Sequence, residues 1–153
     1  MCGIAGLIDL KRQLDGNDLA LQAKHMADSI RHRGPDTGGQ WTDSKSGLAL
    51  SFRRLAIIDL TRTGHQPMLS GNKRYAIVFN GEIYNFQELR AELVEQGVTF
   101  KGTSDTEVML EVFVRWGIEE TVKRLIGMLA VALWNREERR LWLIRDRLGI
   151  KPL

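Results

Sequence analysis

The sequence predicts an α+β fold. Apolar strand-like runs recur along the chain, only about three segments have helical apolar spacing, and those helices do not follow every strand. A doubly wound parallel sheet would alternate strand and helix throughout, so antiparallel sheets carrying separate helices fit better.

Taken in order, CGIAGLID at 2–9 reads as a short buried strand. Asn17 or Asp18 can cap a helix whose apolar face is Leu19, Ala23, Met26 and Ile30, and Gly34-Pro35 stops it. The stretch RGPDTGG that follows is aperiodic and rich in turn formers, which predicts a loop. Leu48, Leu50 and Phe52 alternate as on a strand, and LAIIDL continues with a fully apolar character. TRTGHQP is a second loop, leading into the buried strand YAIVF. After Asn80-Gly81, Asn85 with Glu88 resembles a capping box for a helix carrying Leu89 and Leu93, which Gly97 ends. Ser104 with Glu107 makes a second capping box, opening a helix through Val108, Val112 and Trp116. MLAVALW, the charged turn NREERR and RLWLIRD then read as a β-hairpin. No internal repeat or linker interrupts the chain, so one domain is expected over 1–153.

Composition narrows the class of function. At 153 residues, 43% hydrophobic and 27% charged, the chain has the make-up of a soluble globular domain. The net charge is +3 with acids interleaved, and no basic run alternates with aromatics. Nucleic acid is therefore not an expected partner. A single cysteine cannot form an internal disulfide, which suits a reducing cytoplasm. No basic n-region opens the chain, Asp9 interrupts the first apolar run, and no stretch is long enough to span a bilayer. A cytoplasmic protein with no membrane partner is expected.

Several residues admit both a structural and a chemical reading. Cys2 is either a small strand residue or, once Met1 is removed, a thiol sharing its residue with a free α-amine. Such an amine titrates near 7.7–8.0 and can serve as a general base for its own side chain. Asn80-Gly81 after an apolar strand is a hairpin-turn signal, and locally the turn is favoured. The alternative is that the Asn80 amide and the Gly81 N–H converge as an oxyanion hole. Arg54 is either a strand-edge arginine or a planar partner for a carboxylate. Asp105 suits a helix start and Glu82 an exposed loop, yet together with Arg54 they could hold a zwitterion. His25, His32 and His65 have no cysteine or acid at ligand spacing, so no metal site is expected. Neither GxGxxG nor GxxxxGK[ST] occurs.

The stretches MCGIAG, RHRGPDTGG, RRLAIIDL, GHQPM, FNGEIYNF, GTSDTEV and DRLGIKPL run in this order from end to end. In them the chain closely resembles the N-terminal glutaminase domain of class II glutamine amidotransferases, and NGEIYN places the resemblance in the asparagine synthetase branch. The resemblance implies an N-terminal nucleophile hydrolase fold, with two antiparallel sheets sandwiched between helical layers. It implies that Cys2 is the nucleophile after loss of Met1, with its own amine as base, and that Asn80 and Gly81 form the oxyanion hole. It further implies that Arg54 grips the glutamine α-carboxylate, that backbone near Ile57 walls the pocket, and that Glu82 and Asp105 hold the α-amino end. Many relatives carry histidine where this chain has Phe52, a position with no assigned role.

The activity implied is hydrolysis of glutamine to glutamate and ammonia, feeding ATP-dependent asparagine synthesis from aspartate. The alternatives are an amidotransferase with another acceptor, a sugar or a secondary-metabolite carboxylate, and a non-catalytic glutamine-sensing module. Besides glutamine, the partner implied is a C-terminal synthetase domain of the same full-length chain, with 1–153 truncated before it; a homodimer is left open. No cofactor is implied for the glutaminase domain, while ATP and Mg are implied for the synthetase domain.

Overall fold

The computed structural model describes residues 2–55 and 62–153. They fall into two compact units, one built on 2–55 and 65–67, the other on 62–64 and 68–153.

The first unit is a three-stranded antiparallel sheet of β1 (Gly3–Ile8), β2 (Thr37–Asp43) and β3 (Leu48–Arg54), in the order β1-β3-β2. As the central strand, β3 is buried at every position but Arg53. Both faces of a central strand are covered, which removes the simple alternation that Leu48, Leu50 and Phe52 suggest. Phe52 itself is buried between Ile4 and Gly39 of the flanking strands. Contrary to the expectation of a buried strand, β1 lies at the sheet edge and buries only Gly3.

Helix α1 (Gly16–Ser29) packs on this sheet through Leu19, Ala23 and Ala27, spaced to share one face. The cap is neither Asn17 nor Asp18. Asp15 fills that position, and its carboxylate accepts hydrogen bonds from the Asn17 and Asp18 N–H groups. Met26, expected on the apolar face, is 41% exposed, and the smaller Ala27 takes its place.

The expected loop RGPDTGG is half strand, because β2 begins at Thr37 and runs through both glycines. At Gly39 the strand has no room for anything larger, because a Cβ would lie 2.1 Å from the Gln66 carbonyl oxygen. Backbone approaching this closely over a strand selects glycine as strongly as a turn does. Of the run LAIIDL, only Leu55 lies within the described residues, as coil after β3.

The second unit is a four-stranded antiparallel sheet, β4 (Met68–Leu69), β5 (Tyr75–Ile83), β6 (Gly127–Asn135) and β7 (Arg140–Arg145), ordered as in the chain. The predicted hairpin is β6–β7, and Asn135 Oδ1 fixes its turn by accepting the Glu137 and Glu138 N–H groups. Helices α2 (Phe86–Glu95) and α3 (Asp105–Arg124) cover one core with the sheet, centred on Ile77, Leu93, Val108, Phe113 and Leu133.

Three local expectations change here. Asn80-Gly81 is not a turn: both lie inside β5, opposite Ala130 and Leu129 of β6. Asn85 sits at the start of α2 but makes no side-chain cap. Its amide instead donates to the Arg124 carbonyl and accepts from the Ile126 N–H, fastening the helix start to the chain entering β6. Ser104 does cap α3 through the Glu107 N–H, whereas the Glu107 carboxylate turns to the Lys101 and Gly102 N–H groups. Helix α3 is interrupted at Gly117, whose φ of 74° is left-handed. Among the described residues no helix is long and apolar enough to cross a membrane.

Candidate functional site

In the first unit the chain folds back on its own beginning. Cys2, half-buried just before β1, places its Sγ 3.4 Å from both the N and the O of Leu55, the residue after Arg54. Its carbonyl accepts from Arg33 Nε at 3.2 Å. The segment carrying Arg33 is pressed against the end of β3, where Asp36 N–H donates to the Arg54 carbonyl and Arg53 Nε donates to the Gly34 carbonyl. Gly34 is required by this approach, since a Cβ there would lie 2.4 Å from the Arg53 carbonyl carbon. The RHRGPD stretch is thus the clamp that holds Cys2 beside the end of β3. Arg54 is 8% exposed, far from a solvated strand-edge arginine.

In the second unit, Asn80, Gly81 and Glu82 follow one another along β5, and Asp105 opens α3 beside them. Asn80 is 3% exposed, so its carboxamide lies within the packed strand region. Gly81 is required by the sheet itself, because a Cβ would lie 2.0 Å from the Met128 carbonyl oxygen. Asp105, 6% exposed, accepts the Ile83 N–H through Oδ2 at 3.1 Å. Ile83 directly follows Glu82, so the two acids are brought together.

Burial is the main cause that pushes the Asp105 carboxyl above its usual range. The N–H groups of Ile83 and Thr106 pull it back, and the nearby Glu82 charge pushes it further up. The folded state therefore binds the Asp105 proton more tightly than the unfolded chain. Between the ordinary carboxylate value and the raised one, stability falls as pH rises. Asp105→Asn keeps an acceptor for Ile83 and removes the buried charge. It should be more stable than the parent above that interval, by about 1.4 kcal/mol for each tenfold change in proton affinity, with no difference below the ordinary range. Urea midpoints of both proteins across pH check this. A gap of constant size would exclude Asp105 as its source.

Ile57 lies outside the described residues. The sequence reading gives Arg33 no role and Gly34 only that of a helix stop, although the RHRGPD motif contains both. The contact that reveals Arg33 spans 31 residues of chain, and local spacing does not display it. Among the described residues, no group of three or more side chains could hold a metal ion.

Residues 1–153 match the family model described as a glutamine amidotransferase domain. The chain belongs to the glutamine amidotransferase domain family. Among curated relatives of this amidotransferase domain, it is 43% identical to asparagine synthetase [glutamine-hydrolyzing] 2 of Bacillus subtilis, covering 100% of this chain and 20% of that protein. It is 32% identical to amidase chry2 of Gibberella zeae, covering 100% of this chain and 24% of the relative. The chain thus spans about a quarter or less of the length of these relatives. A solved structure of glutamine phosphoribosylpyrophosphate amidotransferase from B. subtilis, complexed with ADP and GMP, superposes with a TM-score of 0.58. It is 24% identical and covers 72% of this chain and 26% of that one. That likeness concerns the fold, which is α+β with two antiparallel sheets, as in N-terminal nucleophile hydrolases.

Proposed function

We propose that this amidotransferase domain hydrolyses glutamine to glutamate and ammonia, and that in the full-length protein the ammonia serves ATP-dependent asparagine synthesis. The observation that carries the reading is the family match over residues 1–153, with a cysteine at position 2 of that span. Identity of 43% to a glutamine-hydrolysing asparagine synthetase supports the acceptor. Residues 1–153, with Met1 removed, are then the glutaminase domain, and a synthetase region follows in the longer protein. ATP and Mg belong to that region.

In this reading the Cys2 thiol, deprotonated by its own α-amine, attacks the side-chain carboxamide carbon of glutamine. The C–S bond forms as the carbonyl electron pair moves to oxygen, where the Asn80 amide and the Gly81 N–H stabilise the negative charge. The proton held by the amine passes to the leaving nitrogen, the C–N bond breaks, and ammonia departs. Water then attacks the γ-glutamyl thioester, its proton returning through the amine to the thiolate. Arg54 pairs with the substrate α-carboxylate, and Glu82 and Asp105 take its ammonium. Nucleophile, base and oxyanion donors are all protein groups, so this half-reaction needs no cofactor.

A second reading keeps the glutaminase and changes the acceptor. It is favoured by the likeness to amidase chry2, which carries a different name over a comparable span. The chemistry assigned to this chain is the same in both.

The test is a glutaminase assay on protein whose N-terminus has been checked by intact mass. Chain lacking Met1 should release glutamate and ammonia in equal amounts, and chain retaining Met1 should be inert. Full activity from the Met1-retaining form would remove the amine from the mechanism.

A further inference from the structure

The central strand of the first unit carries an arginine between two glycines. In the β1-β3-β2 sheet, Arg53 stands opposite Gly3 on one side and Gly38 on the other. Directly opposed residues point to the same face, so Arg53 has no cross-strand side chain beside it. The chain at 28–34 packs down on this face. Gly3 admits it, since a Cβ there would lie 2.8 Å from Ile30 Cδ1 and 3.6 Å from Arg33 Cβ. Gly38 admits the Arg53 guanidinium, since a Cβ there would lie 2.8 Å from Arg53 Nη1 and 3.2 Å from the Phe52 carbonyl oxygen. From that seat Arg53 Nε donates to the Gly34 carbonyl at 3.0 Å, and Nη1 lies 3.7 Å from Asp28 Oδ1. The Arg53 side chain is 11% exposed and that of Asp28 41%. An ion pair so open to water contributes little, and the bond to Gly34 is the firmer contact. The segment it fastens is the one whose Arg33 Nε holds the Cys2 carbonyl at 3.2 Å.

We propose that Arg53 is a positioning residue for the nucleophile, bolting the 28–34 segment to the sheet so that Arg33 holds Cys2 in place beside Leu55. The inference rests on the reading of Cys2 as the attacking thiol. In that reading the nucleophile is the first residue of the processed chain, and chain ends fray unless tertiary contacts tie them down. Among the described residues the Cys2 thiol meets the Leu55 backbone at 3.4 Å, and sulfur is a weak partner. The firmer tether acts on the Cys2 carbonyl, and Arg33 is only as steady as the segment that carries it. Arg53 touches neither substrate nor the reacting atoms. It acts through Gly34 and Arg33 on the direction from which the thiol meets the carboxamide carbon, and misplacement there slows the reaction more than it weakens substrate binding. A lysine at 53 keeps a charge near Asp28 but has no N–H along its stem to give to Gly34.

The experiment compares the parent with Arg53→Lys, Gly38→Ala and the double variant, and uses Cys2→Ala as the reference for the nucleophile. Arg53→Lys should lower kcat for glutamine hydrolysis by roughly ten- to a hundredfold, with KM and the thermal midpoint near the parent values. Gly38→Ala displaces the flexible guanidinium from the neighbouring strand and should lose kcat in the same way. The double variant should lose no more than Arg53→Lys does, because both changes remove one contact. Cys2 is the chain's single cysteine, so its alkylation reads the site without turnover. Thiol and amine share one residue, so iodoacetamide should label the parent and these variants at the same rate. A chloroketone analogue of glutamine needs the thiol aimed, and it should label the variants more slowly, in step with kcat. Parent-like kcat in Arg53→Lys, losses that add in the double variant, or faster iodoacetamide labelling with a thermal midpoint that falls alongside kcat would overturn the positioning role. An inactive parent, or full hydrolysis by Cys2→Ala, would instead overturn the nucleophile reading on which it rests.

Discussion

Cys2→Ala should reduce glutamine hydrolysis to background while leaving the domain folded. The residue is half-buried ahead of β1, and among the described residues its thiol makes two long contacts, both 3.4 Å, to the Leu55 backbone. Sulfur is a weak hydrogen-bond partner, so these contacts contribute little to stability. The stronger tether, from Arg33 Nε, reaches the Cys2 carbonyl and is unaffected by the side chain. In the proposed mechanism no thioester can then form, and the proposed oxyanion donors have nothing to stabilise. The check is a pair of measurements: glutamate release, and the thermal midpoint of the variant against the parent. Substantial turnover by the alanine protein would place the nucleophile elsewhere.

Asn80→Ala should lower kcat by roughly two to three orders of magnitude, the usual cost of one oxyanion donor. Its effect on stability should be small, because alanine keeps the β5 backbone and its pairing opposite Ala130. Binding of glutamine should change far less than turnover, since the developing charge exists only in the transition state. Steady-state kinetics alongside thermal melts separate the two effects. Loss of fold, or a rise confined to KM, would show that Asn80 serves the sheet or ground-state binding instead.

What could be read from the sequence was largely what lies close along the chain. The Ser104 cap joins residues three apart, and the β6–β7 hairpin closes through a short turn, so both show in local pattern. Asn80-Gly81 misleads because its turn signal is local, while the strand running through it is set by β6, some fifty residues on. Gly39 misleads for a similar reason: the backbone that excludes a side chain comes from residue 66. The site divides the same way. Cys2, Arg54, Asn80 and Asp105 carry no local signature of function, and only the order of matching stretches singles them out. That Glu82 and Asp105 lie together depends on the Ile83 N–H crossing to α3, a contact no periodicity encodes.

The placement of Asn80-Gly81 inside β5 also bears on how the molecule ages. In a free chain, asparagine before glycine tends to deamidate, as the unhindered glycine nitrogen closes a five-membered ring onto the side-chain carbonyl. That closure requires the peptide to swing out of extended geometry. Here Gly81 is paired opposite Leu129, with the Met128 carbonyl so near that not even a methyl group would fit. The ladder that positions the Asn80 amide therefore also keeps it an amide. An aspartate formed there would set a permanent negative charge where the proposed oxyanion hole would shelter one.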